Sequence, residues 1–155
     1  IKEGRPLFVR SPESQFNLAN FMRVHLYSAL GALKVGMDIL LKEEKVQINK
    51  IYGHGGLFKT KKVGQQIMAA AMNTPVSVMD TAGEGGAWGI ALLASYIKTK
   101  NENESLEGFL ENRVFAGDTG TEEKPQKEDV EGFEVFIKRY KAGIPIEQTA
   151  IDHLI

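Results

Sequence analysis

At 155 residues and 43% hydrophobic content, the chain can bury one core and has the size of a single domain. A formal net charge of −1 gives no electrostatic basis for a nucleic-acid partner. The lack of cysteine excludes disulfides and thiolate metal sites and suits a reducing cytoplasm, where the protein is expected. No apolar run is expected to reach membrane-spanning length, so a membrane is not an expected partner either. The chain opens on Ile1, directly in a polar stretch, as a piece of a longer protein would.

Residues 1–19 read as an extended or looped segment, broken by Pro6 and Pro12. Asn20 is placed to cap a helix running to about Lys42. Phe21, Met22, Leu26, Ala29, Leu30, Leu33, Met37, Leu40 and Leu41 recur along it at three- and four-residue steps and form one broad apolar face. Ala29, Gly31, Ala32 and Gly36 make part of that face small, as close packing against a neighbour requires. Ile48–Tyr52 predicts a short buried strand, Lys61–Met72 a helix, Val76–Met79 a second strand and Gly86–Lys98 a third helix. Leu106, Phe109 and Leu110 mark a short helix. Residues 116–128 hold Gly117, Gly120, Pro125 and a run of charged side chains, and read as an exposed linker. Val130–Tyr140 predicts an amphipathic helix stopped by Gly143, and Pro145–Ile155 starts another.

Strand, helix and strand with short connections imply a right-handed parallel crossover. Two parallel strands do not make a viable sheet, since parallel sheets are covered on both faces and have several members. The chain is therefore expected to carry part of an α/β domain whose remaining strands come from upstream or from a partner.

The sequence between strand and helix is rich in glycine twice over. Ile51-Tyr52-Gly53-His54-Gly55-Gly56-Leu57-Phe58 is echoed by Gly83-Glu84-Gly85-Gly86-Ala87-Trp88-Gly89. Glycine allows positive φ and lets a flat group lie against bare backbone. Free N–H groups at the start of the following helix can meet an anion. Two such elbows in tandem point to a nucleotide site. A Rossmann dinucleotide site has the right order of parts, with Asp80 after the second strand. Its glycine fingerprint fits at Gly53 and Gly55, but the third position falls on Phe58. A Walker phosphate loop is absent, because no Gly-Lys-Ser or Gly-Lys-Thr occurs.

The series Ile51–Phe58, then Gln65 and Met68, then Asn73-Thr74-Pro75-Val76, then Gly86-Ala87-Trp88-Gly89-Ile90-Ala91-Leu92-Leu93-Ala94, resembles the FGGY carbohydrate kinases. Upstream, His25-Leu26-Tyr27-Ser28-Ala29-Leu30 looks like that family's second signature helix, with Gly31 where an acidic residue is usual. Val114-Phe115-Ala116-Gly117, Glu131-Gly132-Phe133 and Arg139-Tyr140-Lys141-Ala142-Gly143 look like its xylulokinase/ribulokinase branch. The resemblance implies an α/β fold: the C-terminal portion of an actin-like, ribonuclease H-like ATPase domain, with an incomplete parallel or mixed sheet flanked by helices. It implies 1–98 as the adenosine-binding portion and 99–155 as a linker and helical extension on the same domain. The implied activity is transfer of the ATP γ-phosphate to a ketose or sugar-acid hydroxyl, with ATP and Mg2+ as cofactors and a pentulose-like substrate, in a possible homodimer. It maps adenosine contact onto Gly55, Gly56 and Leu57, with Thr60 reaching the adenine edge and Gly53 serving the turn.

Simpler readings hold for the neighbouring residues. His54, lone in a glycine turn, reads as a partly exposed side chain, and His25 and His153 as helix-surface or packing residues. Lys59, Lys61 and Lys62 read as a solvated face. Trp88 reads as a packing anchor. Glu84 has no acidic neighbour to pair with on a cation and takes no role. Phosphoryl transfer needs an orienting carboxylate, a magnesium site and a phosphate cradle. The acids of 1–47, namely Glu3, Glu13, Asp38, Glu43 and Glu44, lie in a loop or on a helix without glycine-rich context. No catalytic or metal residue is therefore assigned. A non-catalytic nucleotide-binding or interaction domain remains the alternative of a different class.

Overall fold

The computed structural model describes residues 4–60, 62–117 and 120–154, and of Glu84 the backbone alone. The chain groups into two compact units interleaved in sequence: Ile1–Gln47 with Ala70–Asn73 and Gln126–Ile155, and Ile48–Ala69 with Thr74–Pro125.

The first unit is built on two long helices. Helix α1, Leu18–Asp38, runs on into a wider π-type turn at Ile39–Glu43. Its cap is Asn17, not Asn20: the Asn17 Oδ1 accepts from the Asn20 backbone N–H at 2.9 Å. The far C-terminal helix, Lys127–His153, is a single helix. This corrects the expected stop at Gly143 and restart at Pro145. Gly143 costs about 1 kcal/mol in a helix interior and Pro145 about 3 kcal/mol; the helix runs through both, with Phe133 and Ile137 buried before them and Ala150 after them. Tyr27 of α1 meets the rings of Phe133 and Phe136 at 4.9 and 5.2 Å between centroids. A Cβ on Gly31 would stand 2.9 Å from the Tyr140 ring, which explains the small residue at that turn.

Charged groups close the same contact. The buried Lys34 ammonium sits 3.2 Å from the Asp38 carboxylate and 3.4 Å from Glu134. Lys42 and Lys141 reach Asp38 at 3.0 and 3.7 Å. Burial pushes the Asp38 carboxyl up, but the hydrogen bond from Lys42 and the ammonium of Lys34 beside it outweigh this and hold it below its usual range. The helix Leu18–Glu43 is long and apolar enough, by length and composition, to cross a membrane, which corrects the expectation that no run reaches that length. In this structure two of its charged side chains, Lys34 and Asp38, pair with Glu134 and Lys141 of the C-terminal helix.

The second unit holds a small sheet. Strand β1, Ile51–Tyr52, pairs in parallel with β2, Val76–Val78, in the register Ile51↔Val76. Helix α2, Val63–Met72, connects them; Lys61, the expected start of this helix, lies outside the described residues. A third strand, β3 at Thr121–Glu123, pairs antiparallel with β2, Val76 opposite Glu123. It lies in the segment expected to be a linker, so one strand expected from elsewhere comes from within the chain. The Gln65 amide of α2 holds it there, donating to the carbonyls of Val76 at 3.2 Å and Thr121 at 2.9 Å. Gly120 lets β3 start: its φ is +54°, and a Cβ would stand 2.7 Å from the Val78 carbonyl oxygen.

Helix α3, Gly85–Thr99, follows β2 and exposes Ile90, Leu93 and Ile97. The short helix α4, Leu106–Phe109, is capped by Ser105 and docks against α3 through Phe109 and Tyr96, their rings 5.4 Å apart. The C-terminal helix Lys127–His153 is α5.

Candidate functional site

Both glycine elbows lie in the second unit. β1 is followed by Gly53, which is buried and has no positive φ. A Cβ there would collide with the Phe58 ring. Gly53 thus makes room for Phe58 and does not supply the turn, a correction to its expected role. The turn is made by Gly55, with φ +96° and ψ −168°, a conformation open to glycine alone. A single 3₁₀ turn follows at Gly56–Phe58, its ends closed by Phe58 N–H to Gly55 O and Lys59 N–H to Gly56 O. Phe58, which breaks the dinucleotide fingerprint, is the side chain that fills the space over Gly53.

The second elbow is a 3₁₀ turn at Ala82–Glu84 leading into α3 at Gly85, φ +48°. The two elbows are hydrogen-bonded: the Gly55 N–H donates to the Ala82 carbonyl at 2.8 Å. The aliphatic stem of Lys59 lies 3.9 Å from the Cβ position of Gly83. Among the described residues Thr81 Oγ1 and Trp88 Nε1, on either side of this turn, are buried and have no hydrogen-bond partner. The Glu84 side chain, to which no role was assigned, lies outside the described residues.

The expected nucleotide residues form one continuous turn. Gly55 and Leu57 are half-buried, and Gly56 and Thr60 are exposed. Among the described residues nothing beyond the chain neighbours lies within 4 Å of the Cβ positions of Gly55 and Gly56, nor of Gly85 and Gly86. The chemistry available is a bare backbone floor from two adjacent turns, suited to a flat, sparsely polar group. The N-terminus of a 15-residue helix, α3, begins beside it.

His54 is exposed. Lys62 is tied to the sheet through Glu123 at 3.8 Å. His25 stands edge-on to Phe21, ring centres 4.6 Å apart. Among the described residues no three His, Asp or Glu side chains converge on one point, and no step is derived through a magnesium ion.

One supporting residue, Gly64, escaped the sequence reading, and the use of a second, Gln65, did too. Gly64 sits at the start of α2, where a Cβ would run into the Leu57 carbonyl. Only glycine lets the turn carrying Leu57 rest on that helix. The signal was available: a glycine among the strong helix formers of 63–72. Gln65 was noticed as part of a motif, but its use in holding β3 left no mark in spacing.

Comparison with known proteins adds one match. Residues 1–97 match the model of the FGGY family of carbohydrate kinases, C-terminal domain. No curated protein and no solved structure matches the chain.

Proposed function

The chain belongs to the FGGY family of carbohydrate kinases, and from that premise we propose that it supplies the adenosine-binding part of a kinase that moves the ATP γ-phosphate onto a ketose or sugar-acid hydroxyl. A pentulose of the xylulose or ribulose type is the favoured acceptor, on the tail motifs around Glu131-Gly132-Phe133 and Arg139–Gly143. Gly55, Gly56 and Leu57 contact the adenosine, and Thr60 reaches the adenine edge. Mg2+ enters on the ATP phosphates. The nucleotide portion is residues 1–98, with 99–155 as its extension, in a cytoplasmic protein.

One observation carries this reading: the Cβ positions of Gly55 and Gly56 face open space, on a turn hydrogen-bonded to a second glycine turn, inside a carbohydrate-kinase domain. The chain's own contribution is to bind and orient. A rigid floor fixes the base, so that binding energy from adenosine positions the phosphates for attack by the sugar hydroxyl. The orienting carboxylate and the β/γ-phosphate cradle are assigned to other parts of the kinase.

The test is ADP formation by the full-length protein over a panel of pentuloses, gluconate and glycerol. Turnover with one sugar class supports the proposal. A folded full-length protein silent across the panel overturns it.

A further inference from the structure

We draw no further inference here: the strongest candidate, the pair of buried polar atoms without hydrogen-bond partners at the second glycine elbow, Thr81 Oγ1 and Trp88 Nε1, belongs to the nucleotide site already proposed, and nothing in the structure shows a ligand path to either atom.

Discussion

The Gly55 N–H is bonded to the Ala82 carbonyl at 2.8 Å, so the turn after β1 and the turn after β2 are one structure. The parallel pairing of β1 and β2 brings their C-terminal ends to the same edge of the sheet. In open α/β sheets this edge, beyond the carboxyl ends of the strands, is where ligands bind. The bond also removes the Gly55 N–H from the groups available to a ligand, leaving its missing side chain as its contribution.

Gly55 and Gly56 should therefore separate in their effects. Gly55→Ala forces a side chain into a glycine-only conformation and is expected to cost about 1–3 kcal/mol of stability. Gly56 has no positive φ, and open space lies around its Cβ position. Gly56→Val should leave stability within about 0.5 kcal/mol, as surface substitutions do. In the full-length kinase it should weaken ATP by about 1–3 kcal/mol, the scale of overpacking, with sugar affinity unchanged. Urea unfolding and calorimetric titration of both ligands check the pair. Unchanged ATP affinity in folded Gly56→Val would remove Gly56 from the site.

A third strand predicts a third phenotype. Gln65→Ala removes amide hydrogen bonds to the Val76 and Thr121 carbonyls, and should destabilise by about 1–3 kcal/mol for the buried groups left unpaired. Hydrogen exchange localises the effect. Amides of 121–123 should lose protection before those of β1. Equal loss in both strands would show that Gln65 does not hold β3.

The helices α1, α2 and α3 were legible as helices because apolar spacing and helix formers mark their length, but the expected apolar face of α1 is not its buried face: Leu30 is buried with Tyr27 and Lys34, while Met22, Leu33 and Leu40 are exposed. β3 was not, because Thr121-Glu122-Glu123 has no apolar alternation and its strand character is conferred from outside. Glu122 is held by Lys50 at 2.6 Å and Ser77 at 3.2 Å, and its carboxyl lies below the usual range chiefly through the Lys50 hydrogen bond. Gly143 and Pro145 are local stop signals, yet α5 runs through both as one helix. At the site, the glycines of the two turns were visible as glycines. Which one turns the chain and which one admits Phe58 depends on φ and on a ring arriving from five residues away, and neither shows in composition.

Asp38 gives an acid limit to the α1–α5 contact. Its carboxyl is held low by Lys42 and Lys34 despite burial, so its contribution is complete above the usual carboxylate range and is lost as pH falls through the lowered folded value. Asp38→Asn should lower stability near neutrality by about 1–3 kcal/mol, the scale of hydrogen bonds to charged groups. It should also flatten the loss of stability below about pH 4, the ordinary aspartate range. Denaturant midpoints from pH 7 to pH 3 measure both. An unchanged acid slope in the variant would assign acid unfolding to other carboxylates.

The 155-residue chain by itself is expected to show no kinase activity and to bind ATP only in the millimolar range, roughly −4 kcal/mol. An adenosine floor alone engages one end of the nucleotide, while rate acceleration in phosphoryl transfer comes from charge stabilisation and positioning at the other. The chain should also self-associate. α3 leaves Ile90 and Ile97 more than 70% exposed and Leu93 nearly half exposed along one apolar helix. Tyr52 stands exposed on β1, whose described pairing is with β2 on one side. An apolar helix face and a strand edge are the two surfaces through which chains associate. A coupled ADP assay with light scattering on the purified chain tests both halves. Sugar-dependent turnover from a monodisperse monomer would place the catalytic groups inside these residues and overturn the division of labour proposed here.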